Sequence, residues 1–212
     1  MGTFRVAVLA SGTGTNLQAI LDALHGRDDI EVVGVASNKP GARALERAAE
    51  AGVDTAVFPR SDHGNRIERD AAMAEWLTTR DVELVVLAGY MELLSAEFVR
   101  RFPNRIVNVH PALLPSFPGL DAVGQALEHG VSVTGVTVHF VDEGVDSGPI
   151  ILQRPVAVPY TRDRSRLERE IHEVEHQLLP EAIRLIAAGA ARVDDRNRRI
   201  IHVEQPEAAG NG

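Results

Sequence analysis

The feature that most constrains this chain is a repeated alternation of short apolar runs with helical periods. It opens on FRVAVLA at residues 4–10, which runs straight into the turn SGTGTN at residues 11–16 and then a helix over 17–24. A short apolar run bounded by turn residues and followed by a helical pattern reads as a strand buried on both faces. The unit recurs. Strands are expected at residues 30–37 (IEVVGVAS), 55–58, 83–88 (ELVVLA) and 105–109. Between them, helices are expected after the Asn38-Lys39-Pro40-Gly41 turn as far as Gly52, over 63–80, and over 95–101. Strands separated by helices predict a mostly parallel, Rossmann-like α/β sheet with helices on both faces.

The pattern changes in the second half. Residues 133–141 (VTGVTVHFV) alternate strongly, which predicts a strand with one exposed face. A glycine-rich turn then leads to a second strand at 150–158, so an antiparallel hairpin at the sheet edge is expected. A long helix over 164–188 contains Pro180, where it should be interrupted or bent. The reading is one domain over residues 1–202, its phosphate-binding half ending near 105 and its catalytic half following. Residues 203–212 read as a flexible tail.

Composition excludes several function classes. The 212 residues contain no cysteine, so a disulfide scaffold, a thiolate zinc site and a cysteine nucleophile are all ruled out. Net charge is −8 and Lys39 is the single lysine, which is unlike a nucleic-acid binder with its basic face. Apolar runs are too short to span a membrane, and the N-terminus resembles no secretion signal, so the expected location is the cytoplasm.

Two sites stand out. The SGTGTN turn follows a strand and opens a helix, so its free N–H groups and the helix dipole point at an anion. It fails the dinucleotide fingerprint, because Leu17 holds the third glycine position and the second strand ends in Ser37-Asn38 without an acid for a ribose diol. One phosphate is the expected ligand; the alternative is an unliganded turn capped by Thr15 or Asn16. The second site is RIVNVH at residues 105–110, where Asn108 and His110 leave one face of a strand that Pro111 ends. Pro111, Pro115 and Pro118 stiffen the following loop. Asp146 lies in DEGVDSGP, with Gly144 and Gly148 allowing close backbone approach. A carboxylate beside His110 would favour its charged form and fix its orientation.

NVHPALLPSFPG at residues 108–119, followed by TVHFVDEGVDSGPII at 137–151, resembles the folate-dependent formyltransferases. The SGTGTN turn, AGYMELLS and EHQLLPEAI are similar to the branch acting on glycinamide ribonucleotide, and the likeness runs from Arg5 to Ile201. The resemblance implies transfer of a formyl group from 10-formyltetrahydrofolate, a co-substrate, to the amine of glycinamide ribonucleotide in de novo purine synthesis. It implies no metal, small-molecule partners rather than nucleic acid or membrane, and a monomer or homodimer. Asn108, His110 and Asp146 match the family's catalytic three: the first two stabilise an oxyanion, and Asp146 sets the charge of His110 and shuttles a proton. Gly12, Thr13, Gly14, Thr15 and Asn16 match the phosphate turn, Glu175 a residue near the ribose, and Gly89 and Pro111 the wall between the two substrates. Arg66, Met91, Glu92, Leu93, Leu94 and Asn108, with Val141, Asp142, Glu143, Gly144 and Val145, match the folate site. Two positions depart from the pattern. Glu92 stands where relatives often carry a basic residue and is expected to repel a folate carboxylate; Asp121 stands where many have histidine.

Other readings compete. Formyltetrahydrofolate deformylase shares the catalytic set, with water as acceptor, but its relatives carry an additional N-terminal domain. Methionyl-tRNA formyltransferase would need a basic RNA-binding domain. His172-Glu173-x-x-His176 matches a helical zinc-hydrolase motif, although no third ligand is evident beyond Asp194 or Asp195. His139 is expected to be structural, and Trp76, Met73 and Leu77 to be helix core.

Overall fold

The structure is a computed structural model that describes residues 2–204. Its main sheet has seven strands: β1 (Phe4–Leu9), β2 (Ile30–Ser37), β3 (Thr55–Val57), β4 (Leu84–Leu87), β5 (Ile106–His110), β6 (Val133–Phe140) and β7 (Ile150–Ala157). Their order across the sheet is β3-β2-β1-β4-β5-β6-β7; the first five are parallel, β6 is antiparallel to β5, and β7 is antiparallel to β6. The chain builds outward from β1 in one direction and restarts at β4 in the other. The carboxyl ends of β1 and β4 therefore flank a topological switch point, where open α/β sheets hold their ligands.

The helices are α1 (Thr15–Leu24), α2 (Arg43–Glu50), α3 (Arg66–Thr78), α4 (Ala96–Arg101), α5 (Ala122–Glu128) and α6 (Arg164–Ala187). Successive side chains of β1 leave opposite faces, and the core divides accordingly. Val6 and Val8 pack with Leu17 and Ile20 of α1, Ala44 of α2, and Leu167 and Leu179 of α6. Ala7 and Leu9 pack with Met73 and Leu77 of α3 and Phe98 of α4. Trp76 lies at the margin of this second cluster with the Arg80 guanidinium 4.2 Å from its ring centre.

Expectations need correcting at β6, at Pro180 and at residue 203, and two features were not foreseen. Every residue of β6 from Thr134 to Phe140 is buried, so that strand has no exposed face. Its polar side does not meet water because the loop 111–119 covers it. Thr137 Oγ1 donates to the Ala112 carbonyl at 2.6 Å and accepts from the Leu114 N–H at 3.1 Å and Gln153 Nε2 at 3.0 Å. The long helix is not interrupted at Pro180 but continues to Ala187; the ring is buried against the core, and its nitrogen has no N–H to donate to the His176 carbonyl. Helix α5 was not foreseen. A separate two-stranded sheet, β8 (Ala191–Val193) with β9 (Ile201–Val203), was missed as well. Val203 pairs with Ala191 there, so order extends into the segment expected to fray, and residues 205–212 lie outside the described residues. Among the described residues, no helix is long and apolar enough to cross a membrane.

Thr137→Val tests the loop anchor. It keeps the side-chain volume but strands two buried backbone partners, the Ala112 carbonyl and the Leu114 N–H, while Gln153 keeps the Leu114 carbonyl at 2.8 Å; leaving such groups unmet costs roughly 1–3 kcal/mol apiece at most. The expected result is a thermal midpoint lower by several degrees together with a loss of turnover; an unchanged midpoint would show that the loop is held elsewhere.

Candidate active site

The glycine turn fits an anion better than it fits a capped helix. The residue preceding α1 is Gly14, in the left-handed region at φ 72°, and no side chain accepts a hydrogen bond at that helix end. Thr15 and Asn16 lie inside the first turn and do not cap it. The leading N–H groups are left for water or a ligand, and the dipole favours a negative one. Gly14 is also sterically required, since a Cβ there would sit 2.7 Å from the Ala44 Cα at the start of α2. Asn16 reaches across to α6, donating from Nδ2 to Glu175 Oε2 at 3.0 Å, while its Oδ1 is buried without a partner. Glu175 is only 4% exposed.

Ser11 joins this turn to the neighbouring strand ends. Its N–H donates to the Gly89 carbonyl at 3.0 Å, its Oγ accepts from the Met91 N–H at 2.8 Å and donates to Asn38 Oδ1 at 2.6 Å. The segment expected to separate the two substrates thus lies beside the phosphate turn, at the switch point.

Asn108, His110 and Asp146 converge. Asn108 Nδ2 lies 3.4 Å from Asp146 Oδ1, and His110 Nδ1 lies 3.4 Å from Asp146 Oδ2. Asp146 takes a left-handed backbone at φ 49° and accepts from the Gly119 N–H at 2.7 Å. Its loop is pinned by Gly148, where a Cβ would come within 1.9 Å of the Phe140 carbonyl. Burial by itself would raise the Asp146 carboxyl, but His139, the Gly119 N–H and the nearby charges of His110 and His139 together hold it below the usual carboxylate range. His110 Nε2 lies 2.8 Å from the Phe117 carbonyl. A carbonyl only accepts, so Nε2 carries a proton, and a second proton on Nδ1 would face the carboxylate attractively. A ring carrying both protons would satisfy both neighbours.

His139, expected to be structural, borders this site. Its Nδ1 donates to the Phe140 carbonyl at 2.8 Å, while Nε2 stands 3.3 Å from Asn108 Nδ2 and 3.7 Å from Asp146 Oδ1. Asn108 and His139 are direct partners in the β5–β6 ladder. The signal was there: Gly135, Thr137 and His139 share one face of the strand at period two, opposite its apolar face.

A cavity of about 440 Å³ opens beside Met91 and is lined by Arg60, Asn65, Arg66, Arg69, Glu92 and Leu93 as well. It gathers four of the residues expected at the folate site, namely Arg66, Met91, Glu92 and Leu93. Asn108, His110 and Asp146 do not line it; His110 and Asp146 instead meet the 117–119 loop. Leu94 and Val141 pack on the apolar cluster that also holds Tyr90. Asp142 to Val145 do not line this cavity; Asp142 Oδ1 accepts from the Gly144 N–H and Ser147, and Glu143 pairs with Arg100.

Glu92 does not stand as a free repelling charge. Its carboxylate lies 3.1 Å from Arg69 Nη1, and Asn38 donates to it at 3.3 Å. Arg69, buried in the cavity wall, also pairs with Asp70 at 2.7 Å. Arg66 and Arg69 share a face of α3 at a spacing of three, a signal that sequence reading overlooked. Tyr90 behind them is pushed up to about 12, by burial above all, with Arg69 opposing. The other departure, Asp121, caps α5 by accepting from the Gly124 N–H and pairs with Arg164 at 2.7 Å. Here the residue serves a helix end.

Residues 4–183 match the formyl transferase family. The chain belongs to the formyl transferase family. It is 42% identical over 192 residues to phosphoribosylglycinamide formyltransferase of Haemophilus influenzae, covering 90% of this chain and 91% of that one. It is 47% identical over 191 residues to the trifunctional purine biosynthetic protein adenosine-3 of Drosophila pseudoobscura pseudoobscura, of whose length it spans 14%. The crystal structure of glycinamide ribonucleotide transformylase 1 from Symbiobacterium toebii superposes with a TM-score of 0.91 at 48% identity, covering 96% of this chain and 95% of that one. A formyl transferase needs donors at a developing oxyanion and a proton carrier, and the crevice provides both kinds of group.

The zinc-hydrolase motif finds no such support. His172 Nδ1 meets Glu175 at 2.9 Å, the His172 and His176 rings stack 6.3 Å apart, and among the described residues no group of three potential ligands could hold a metal.

Proposed function

We infer that this chain transfers the formyl group of 10-formyltetrahydrofolate to the amine of glycinamide ribonucleotide, giving formylglycinamide ribonucleotide and tetrahydrofolate. The observation that carries this reading is the convergence of Asn108, His110 and Asp146 at the carboxyl end of β5, in the sheet whose neighbouring β1 and β4 ends lead into the uncapped glycine turn and the Met91 side of an arginine-lined cavity. The relatives named above support it. The turn at Gly12, Thr13, Gly14, Thr15 and Asn16 suits the acceptor phosphate, and Glu175 the ribose. The cavity suits the folate: Met91 and Leu93 offer apolar contact, and Arg66 a cation for a carboxylate.

The acceptor's neutral amine attacks the formyl carbon, and the carbonyl oxygen gains negative charge. Asn108 donates an amide N–H to that oxygen and His110 its Nδ1–H, held only loosely by Asp146 at 3.4 Å while Nε2 stays on the Phe117 carbonyl; each such donor typically lowers the barrier by roughly 2.7–4 kcal/mol. Asp146 orients the His110 ring and faces any positive charge that forms on it. The attacking nitrogen must lose a proton and the departing N10 must gain one as the carbon–N10 bond breaks. Asp146, reached through water, carries that proton. Holding both substrates in one crevice supplies the remaining advantage, proximity.

The test is an absorbance assay of folate deformylation with and without glycinamide ribonucleotide. Turnover should require the acceptor and yield formylated product; equal turnover without it would replace this reading with the deformylase. Asn16→Ala should raise the acceptor KM on the order of tenfold, the worth of a hydrogen bond to a charged group, while the folate KM moves little. Equal effects on both substrates would sink the phosphate assignment.

A further inference from the structure

The oxygen of Glu175 that Asn16 holds is also held from its own helix. His172 precedes Glu175 by three residues on α6, a spacing that puts both on one helix face. Its Nδ1 lies 2.9 Å from Glu175 Oε2, the atom that Asn16 meets at 3.0 Å. A carboxylate only accepts, so both neighbours donate. Among the described residues Oε1 makes no hydrogen bond, which leaves Glu175 anchored through one oxygen with the other free.

That arrangement creates an electrostatic problem that His172 is placed to solve. Glu175 is nearly buried and borders the turn read above as taking a phosphate. A bare carboxylate there would oppose a phosphate dianion. The His172 side chain is 57% exposed, so its ring exchanges protons with solvent while touching the buried anion. Its hydrogen bond to Glu175 raises it above the ordinary imidazole value, burial partly opposes this, and the charges of Glu175 and Glu168 add to the rise. His176, stacked on it, shifts the other way: burial lowers it, and its Nε2 is enclosed without a partner. The charged neighbours of the two rings, Glu168, Glu173 and Glu175, all belong to α6; what reaches the pair from α1 is the uncharged amide of Asn16.

We propose that His172 is a positioning residue for Glu175 and that its charged form tightens binding of the phosphate-bearing acceptor. The inference rests on the reading of Glu175 and the glycine turn as the acceptor's site. It also gives the His172–His176 spacing a purpose without zinc: one ring carries the compensating proton and the other stays neutral against it.

The experiment measures KM for glycinamide ribonucleotide and for 10-formyltetrahydrofolate from pH 6.5 to 8.5, in the wild type, His172→Gln and Glu175→Gln. Gln keeps a donor but cannot take a proton. The ratio of variant to wild-type acceptor KM cancels the titration of the substrate's own phosphate and amine. For His172→Gln that ratio should be about fivefold at the acid end, the size of a partly screened ion pair, and should fall toward one as pH rises and the wild-type ring loses its charge. The folate ratio should stay flat. A pH-independent acceptor ratio, or one mirrored in the folate KM, overturns the proposal. Glu175→Gln separates the two levels. If it raises the acceptor KM while His172→Gln does nothing, only this inference fails; if it leaves the acceptor KM unmoved, the acceptor-site reading fails with it.

Discussion

Asp146→Asn should fold and lose nearly all turnover. The substitution keeps shape: the amide oxygen can still accept from the Gly119 N–H, now met at 2.7 Å. It removes charge, and it puts an NH2 where Oδ1 stands, facing the Asn108 amide 3.4 Å away with a donor opposed to a donor. His110 loses the carboxylate that faces its Nδ1 and the transferred proton loses its carrier. Proton transfer by a placed group is worth about 10²–10⁴ in rate, so kcat should fall by roughly a thousandfold or more while both KM values change little. Activity within tenfold of wild type would remove Asp146 from the mechanism. Stability gives a second readout. The carboxyl sits below its usual range in the folded state, so its ionised form stabilises the protein at pH values above the unfolded carboxylate value, and that contribution disappears as pH falls through the folded value. The gap in thermal midpoint between wild type and Asp146→Asn should therefore be widest near neutrality and close on acidification. A gap that widened in acid would contradict the direction assigned to this group.

What could be read in advance followed from local periodicity and failed where contacts are distant in sequence. The parallel half was legible because each of its strands is an apolar run closed by turn residues. Strand β6 was misjudged because Gly135, Thr137 and His139 look like a solvent face. Thr137 in fact anchors the 111–119 loop, and Gly135 lies against Leu113, where a Cβ would meet its Cγ at 2.8 Å. The same blindness hid the partner of Glu92: its sequence neighbours say nothing of Arg69, which arrives from α3. Helix α5 was obscured by its short length and by a left-handed Asp121 at its start. That Asn108, His110 and Asp146 belong together was legible as residue types in a pattern. The Phe117 carbonyl, which fixes one nitrogen of His110, is a backbone group and leaves no mark in the sequence.

Asn108→Ala isolates the oxyanion contribution from the proton path. In the structure both contacts of the amide, 3.3 Å to His139 Nε2 and 3.4 Å to Asp146 Oδ1, are longer than the usual N–H donor distance. Loose contacts of this kind let the donor tighten on a charge that develops during reaction, and bonds made only then lower the barrier without strengthening ground-state binding. Alanine should cost kcat about 10²–10³, the range for removing one such donor, with each KM within a few-fold of wild type. The backbone pairing of Asn108 with His139 and Leu87 does not involve the side chain, so the thermal midpoint should barely move. Asn108→Asp gives a sharper contrast. It matches the amide in size but places a second carboxylate beside Asp146 and points an acceptor at the oxyanion. Two carboxylates sharing a site cannot both ionise freely, and one will hold a proton at neutral pH. The aspartate variant should therefore be slower than the alanine variant, although it is closer in shape. If shape were the whole contribution of Asn108, the order would reverse, and the oxyanion role would have to be reassigned to His110 alone.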